Sequence, residues 1–214
     1  MNQIFITGGT GYMGRRLIAV LIERGFSVTA LVRKGSEGKL MPGCQAVIAD
    51  PFRPESFSGF IPAGCTYVQL LGVHHPGPKK KEQFYTVDLA SAKSSAQAAE
   101  KAGVRHFVYV SVAQVPVKIM QDYQQCRAQG ETAIRETGLP ATFIRPWYVV
   151  GPDHYWPLLF TPLFKILEII PSTSSKAKLL RLVSLKQMLR ALVFAIETPV
   201  NKVRTIEIEA IRQL

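Results

Sequence analysis

Near the start of the chain, Thr7-Gly8-Gly9-Thr10-Gly11-Tyr12-Met13-Gly14 places four glycines within seven residues. Residues 9–14 satisfy GxGxxG, and Gly8, Gly11 and Gly14 also satisfy GxxGxxG. The run follows an apolar stretch, Ile4-Phe5-Ile6, and precedes Met13, Leu17, Val20 and Leu21 at helical spacing. A strand, a glycine turn and a helix in that order make an anion site. The turn needs residues without a Cβ clash, the backbone must approach a pyrophosphate closely, and the helix must pack tightly on the strand. Exposed N–H groups and the positive end of the helix then hold the phosphates. The alternative is a tight turn with no ligand. Four glycines in seven residues weaken a loop that holds nothing, which favours the phosphate reading. Gly8, Thr10, Gly11, Tyr12, Met13 and Gly14 are therefore the expected lining of a dinucleotide site.

The end of the second strand selects the dinucleotide. NAD binders carry Asp or Glu there to hold the ribose 2′-hydroxyl. Here Thr29-Ala30-Leu31-Val32 ends in Arg33-Lys34, and no acid lies between Glu23 and Glu37. A guanidinium suits a 2′-phosphate, so the expectation is NADP(H) in preference to NAD(H). Arg33 and Lys34 can also be plain solvated loop charges. Asp50, after the third strand, could accept from the adenine amino group or cap the turn before Phe52; both readings stand at this point.

The elements that must carry these residues alternate. Strands are expected at Ile4–Ile6, Phe26–Val32, Ala46–Ala49, Thr66–Leu71, His106–Val110 and Ala141–Ile144. Tyr85, Leu89, Ala92, Ala96 and Ala99 mark one face of a long helix whose small residues let it lie close to a sheet. Gln121–Thr137 reads as helix with Gly138 as its stop. The alternation implies an α/β fold, a doubly wound parallel sheet covered on both faces. Residues 1–214 read as one Rossmann domain. Residues 151–214 read as a small C-terminal elaboration over the strand ends, a cap or substrate segment, with a helix near Leu185–Glu197 and a late strand at Val203–Ile208.

Composition narrows the class. Hydrophobic residues make up 47% of 214 residues, which suits one globular domain. Cys44, Cys65 and Cys126 show no CxxC or Cys–His spacing and read as buried or free thiols in a reducing compartment. His74-His75 reads as loop composition before Pro76-Gly77-Pro78, so no metal is expected. The opening residues leave no room for an apolar targeting segment and no apolar run is long enough to span a bilayer, which points to the cytoplasm. The net charge of +11 is dispersed and lacks interleaved aromatics, which disfavours nucleic acid. Tyr155–Ile170 with the basic Lys176–Arg190 could rest on an anionic membrane; the preferred reading is a lid over a substrate pocket.

The chain resembles the extended and atypical short-chain dehydrogenase/reductases. The resemblance rests on the TGGTGxxG turn, Val87-Asp88-Leu89, Ala102-Gly103-Val104-Arg105-His106-Phe107-Val108-Tyr109-Val110-Ser111, Gly138-Leu139-Pro140, Arg145-Pro146, Trp147-Tyr148 and Gly151-Pro152. It runs to about residue 155, and the chain looks most like the short epimerase/dehydratase-like or NmrA-like members. It implies that Leu71 and Gly72 pass beside the adenosine, and that Pro146 and Tyr148 lie near the nicotinamide. It also implies a catalytic Ser with Tyr-x-x-x-Lys. Ser111 matches the serine and Tyr123-Gln124-Gln125-Cys126-Arg127 the second part, with Arg in place of Lys. A spacing of four puts Tyr123 and Arg127 on one helical face. A cation about 4 Å away could lower a tyrosine pKa by up to about three units, and Arg127 is expected to do so and to position the ribose. Two functions follow: a reductase or epimerase acting on a small carbonyl compound, or a non-catalytic NADP(H) sensor or cofactor-stabilised module.

Overall fold

The protein is described by a computed structural model over residues 3–116, 120–152 and 180–214. Its strands are β1 (Gln3–Thr7), β2 (Ser27–Val32), β3 (Gln45–Ile48), β4 (Thr66–Gln69), β5 (His106–Val110), β6 (Ala141–Arg145), β7 (Tyr148–Val150), β8 (Leu182–Ser184) and β9 (Val203–Glu207). Its helices are α1 (Tyr12–Glu23), a single turn α2 (Lys81–Gln83), α3 (Ala90–Ala102), α4 (Gln121–Glu136), α5 (Leu185–Glu197) and α6 (Ile208–Gln213). Seven strands form one parallel sheet in the order β3-β2-β1-β4-β5-β6-β9. The doubly wound α/β expectation therefore holds. The chain leaves β1 toward β2 on one side and later returns to β4 on the other, so the sheet order reverses between β1 and β4. Ligands of such sheets bind in the crevice at that point.

Alternation along each strand sorts the core by shape. Ile4, Ile6, Val28, Ala30, Val68, Val108, Val110 and Ile144 face α1 and α5. Phe5, Tyr67, Phe107, Tyr109 and Phe143 face α3 and α4. The Tyr67 and Phe107 rings stack at 4.9 Å, and α3 meets this bulky layer with Ala92, Ala96 and Ala99. The Tyr67 hydroxyl donates to Ser95 of α3 at 3.0 Å and the Tyr109 hydroxyl accepts from Arg127 of α4 at 3.4 Å, so both hydroxyls of that layer are satisfied.

Two features differ from the expected elements. The helix expected from Tyr85 opens with a π-helical stretch, Phe84–Leu89. Asp88 lies within it, fully buried. Apolar spacing cannot show this, because one extra residue in a turn shifts every later position. Among the described residues after Gly151, β8 pairs with β7 outside the main sheet, as an elaboration would. α5, started by a capping box of Ser184 and Gln187, instead packs on the aliphatic face, and β9 extends the sheet beyond β6. The segment thus completes the sandwich as well as decorating it. Tyr155–Ile170 and the first residues of the Lys176–Arg190 run lie outside the described residues.

A buried polar cluster sits at the end of the sheet away from the glycine turn. His106 Nε2 lies 2.9 Å from Thr142 Oγ1, which accepts from Arg204 Nη2 at 3.2 Å. The guanidinium only donates, so the threonine proton is available to the imidazole, which is neutral. Burial first, then the charges of Arg204 and Arg105, hold the His106 pKa down at about 4 from 6.5. Between those values the unfolded chain binds a proton that the folded chain does not, so stability falls as the pH drops from 6.5 to 4. The total is about 3 kcal/mol. Urea midpoints measured between pH 7 and pH 4 should lose this slope in His106→Gln; an unchanged slope would contradict the assignment.

Candidate functional site

The glycine turn is shaped by two backbone approaches. Gly8 has φ 78°, and a Cβ there would lie 2.7 Å from both the carbonyl carbon of Leu70 and the amide nitrogen of Leu71. A Cβ on Gly14 would overlap the Gly8 carbonyl oxygen and lie 2.8 Å from Gly9 Cα. Only glycine fits either place. The Gly11 amide donates to the Gly8 carbonyl at 3.0 Å, closing the turn. Gly11 then caps α1 in extended conformation with no side-chain cap. The first amides of α1 therefore carry their positive potential into the crevice without a side-chain acceptor. Arg16 lies over the Tyr12 ring, 4.4 Å from its centre, and donates to the Tyr12 carbonyl at 2.9 Å.

The chain leaving β4 forms the opposite wall. Its anchor is Gln69, which is fully buried. Gln69 Oε1 accepts from Thr7 Oγ1 at 2.8 Å and from the Leu71 amide at 2.6 Å, and Nε2 donates to Ser91 Oγ at 3.0 Å. One side chain thus ties β1, the loop at Leu71 and the helix α3 together. Sequence reading missed it, because a glutamine inside an apolar strand announces itself only as a polar residue that must find partners. Gly72 follows, and a Cβ there would meet Arg127 Nη2 at 2.5 Å and Asp88 Oδ1 at 2.8 Å.

The third part lies at the end of β5 and on α4. Ser111 is 3% exposed, and its hydroxyl has no hydrogen-bond partner among the described residues. Tyr123 and Arg127 share a helical face as expected. Arg127 Nε donates to the Tyr123 hydroxyl at 3.1 Å, and Nη1 donates to the Val110 carbonyl at 3.1 Å and the Tyr109 hydroxyl at 3.4 Å. Nη2 forms a buried ion pair with Asp88. Val110 directly precedes Ser111, so Arg127 brings the serine and tyrosine segments together.

The expected acidification of Tyr123 is not what the site produces. Burial raises its pKa from the usual 10, Arg127 pulls it down by less, and Asp88 pushes it up again. The cation at i+4 is visible in the sequence, whereas the desolvation of the phenol and the carboxylate behind the guanidinium arise only from tertiary packing. Arg127 is likewise held by protein groups at each of its three nitrogens.

The remaining expected residues lie around the rim. Arg33 and Lys34 are exposed after β2, and the Gly35 amide donates to Glu37 Oε1 at 3.1 Å. Asp50 Oδ1 accepts from the Phe52 amide at 2.9 Å, the capping contact named above as one alternative. Pro146 is buried after β6, where its carbonyl accepts from the Ala113 amide at 3.0 Å; Tyr148 opens β7 half-buried. His74 and His75 are exposed and meet edge to face. No group of three metal-ligating side chains occurs among the described residues. Cys44, Cys65 and Cys126 are free thiols, each pushed up to about 11 by burial and so poor nucleophiles. A separate apolar groove of about 630 Å³ runs between α1 and α5, walled by Val20, Leu189 and Val193 with Arg24, Lys186 and Arg190 on it. None of Ser111, Tyr123 and Arg127 lines it. No helix among the described residues is long and apolar enough to cross a membrane.

Comparison with known proteins agrees with this geometry. Residues 8–153 match a protein family described as NAD(P)H-binding. The chain is 25% identical over 172 residues to a 4-hydroxy-2-methyl-3-oxo-4-farnesyl-3,4-dihydroquinoline-1-oxide ketoreductase of Stigmatella aurantiaca, covering 71% of this chain and 51% of that one. It is 26% identical over 151 residues to a ceramide reductase of Caulobacter vibrioides, covering 70% and 47%. The chain thus spans about half the length of these curated relatives. In fold it is similar to the Bordetella bronchiseptica enzyme WbmH in complex with NAD+, with a TM-score of 0.71, 22% identity, and coverage of 97% of this chain and 76% of that one. It is also similar to UDP-N-acetylglucosamine 4-epimerase from Bacillus cereus, with a TM-score of 0.72, 15% identity, and coverage of 97% and 79%.

The turn itself offers a direct test. Gly14→Ala puts a methyl group into the Gly8 carbonyl, where no flexible side chain can yield. Saturating dinucleotide at a hundred times its Kd should stabilise the parent by about 2.7 kcal/mol. In Gly14→Ala this gain should vanish in thermal melts; a variant stabilised as much as the parent would remove the turn from the site.

Proposed function

The chain belongs to the NAD(P)H-binding family of the short-chain dehydrogenase/reductase superfamily, and from that premise we propose that it is an NADP(H)-dependent reductase of a small carbonyl compound. The observation that carries the reading is the meeting of Tyr123, Arg127 and the end of β5 beside the crevice. The residues suit a dinucleotide: the α1 amides lack a side-chain cap, the glycines admit a close backbone, and Ser111 holds a buried hydroxyl without a partner.

When bound, the nicotinamide supplies the hydride. The protein supplies the proton and the orientation. Tyr123, whose pKa burial raises, keeps its proton at neutral pH and can give it to a carbonyl oxygen as that oxygen gains negative charge. The Ser111 hydroxyl can donate to the same oxygen. Solvent then returns the proton to Tyr123. A phenol that stays protonated favours reduction over abstraction of a proton from an alcohol, so reduction is the proposed direction and epimerisation the lesser reading. Arg33 and Lys34 favour the 2′-phosphate, because the strand end offers two cations and no acid. The names of two relatives are those of a ketoreductase and a ceramide reductase, and reduction is what those names share.

The test is NADPH oxidation across a panel of aldehydes and ketones. Tyr123→Phe should lower kcat by about 10²–10⁴ while leaving NADPH binding intact. Arg33→Ala should weaken NADPH about tenfold relative to NADH, the loss of one charge-assisted contact. Absence of turnover with NADPH bound would replace the enzyme by a cofactor-binding module, and equal affinities for NADH and NADPH in the parent would overturn the NADP(H) preference.

A further inference from the structure

Asp88 has no place among the expected site residues, yet the site is built around it. It is fully buried on the π-helical stretch. Its Oδ2 accepts from the Val73 amide at 3.1 Å and its Oδ1 is paired with Arg127. Oδ2 thus accepts a hydrogen bond, Oδ1 meets the guanidinium as an ion pair without one, and the guanidinium cannot give up its proton. Burial works against the carboxylate, while Arg127 and the Val73 amide favour it. Gly72 packs over the pair with no room for a side chain. The far side of the guanidinium meets Tyr123, Tyr109 and the Val110 carbonyl.

This places one carboxylate between the loop beside the crevice and the helix that carries Tyr123. Without it Nη2 would lose its partner, and the whole Arg127 charge would act on the phenol. With Asp88 behind it, the fork has one orientation and its field at Tyr123 is partly cancelled. Among the described residues the other groups facing Tyr123 are few. Cys126 lies on α4, Tyr109 on β5, Tyr85 in the same apolar cluster, and the Phe84 ring packs 4.9 Å away. Among the described residues, Arg127 and Asp88 are the charged groups that act on the hydroxyl.

We propose that Asp88 is the positioning residue of this site: anchored by the Val73 amide, it aims the Arg127 guanidinium at Tyr123 and offsets its charge. The proposal takes Tyr123 as the proton donor described above. It adds that the cofactor-side loop and the catalytic helix are coupled through a single ion pair. A π-helical turn at that place is then functional, because it carries Asp88.

The readout is the titration of Tyr123 itself, followed by NMR of tyrosine labelled with carbon-13 at Cζ in the full chain without cofactor, with the resonance assigned by Tyr123→Phe. Asp88→Asn should lower the Tyr123 midpoint by a unit or more, because the Arg127 charge is no longer offset. The basic limb of the kcat/KM profile should fall in parallel. Removing one partner of a buried pair can prevent folding, so Asp88→Asn/Arg127→Gln, which leaves neither charge alone, is the second variant. There the midpoint should lie above that of the parent, with kcat reduced and KM little changed. A Tyr123 midpoint unmoved in Asp88→Asn, or a double variant matching the parent in midpoint and kcat, would overturn the proposal. If Asp88→Asn lowers the midpoint but the parent turns over no carbonyl compound, the positioning stands and the reductase reading falls.

Discussion

Between β1 and β4 the backbone of the glycine turn lies directly on the backbone leaving β4, with no side chain between them. Gly8 sits against Leu70 and Leu71, and Gly14 sits against Gly8. Everything else at the crevice depends on this approach. It lets α1 start at the carboxyl end of the central strand β1 with its first amides facing the crevice. Thr7 and Gln69 face each other in the β1–β4 register, and the Gln69 amide then fixes Leu71 and Ser91. The next residues, Gly72 and Val73, are held in turn by Asp88 and Arg127. A contact made of backbone thus propagates through two buried polar side chains to the helix bearing Tyr123.

The fold was legible because hydrophobic burial leaves a periodic trace. The strands alternate an aliphatic face with an aromatic one, and the alanines of α3 mark the helix that must lie against the rings. The glycine turn was legible for a different reason: its residue types answer to close contact, which few other residues permit. Ser111, Tyr123 and Arg127 were reached through family resemblance, and the structure brings Tyr123 and Arg127 into contact and joins Arg127 to the residue before Ser111.

What the sequence did not show are the partners of buried polar groups. Gln69 and Asp88 lie far in sequence from most of what they bind, and nothing in local spacing encodes that. The π-helical turn that carries Asp88 leaves the apolar pattern nearly unchanged. For the same reason the tyrosine electrostatics came out with the wrong sign from a pairwise argument. A cation at four residues' spacing is visible in the sequence; the desolvation around it and the carboxylate behind it are not. The C-terminal strand β9 and helix α5 were placed as elements, but their role in completing the sandwich is a matter of tertiary pairing.

The central claim is that the crevice between β1 and β4 is the dinucleotide site. Amide chemical shifts of the labelled protein, recorded as NADPH is added, test it most directly. The account predicts the largest changes at Gly8–Gly14, Arg33–Lys34 and Leu71–Val73, with little change along the groove at Arg24, Lys186 and Arg190. Shifts confined to that groove, with the glycine turn unmoved at saturation, would contradict it.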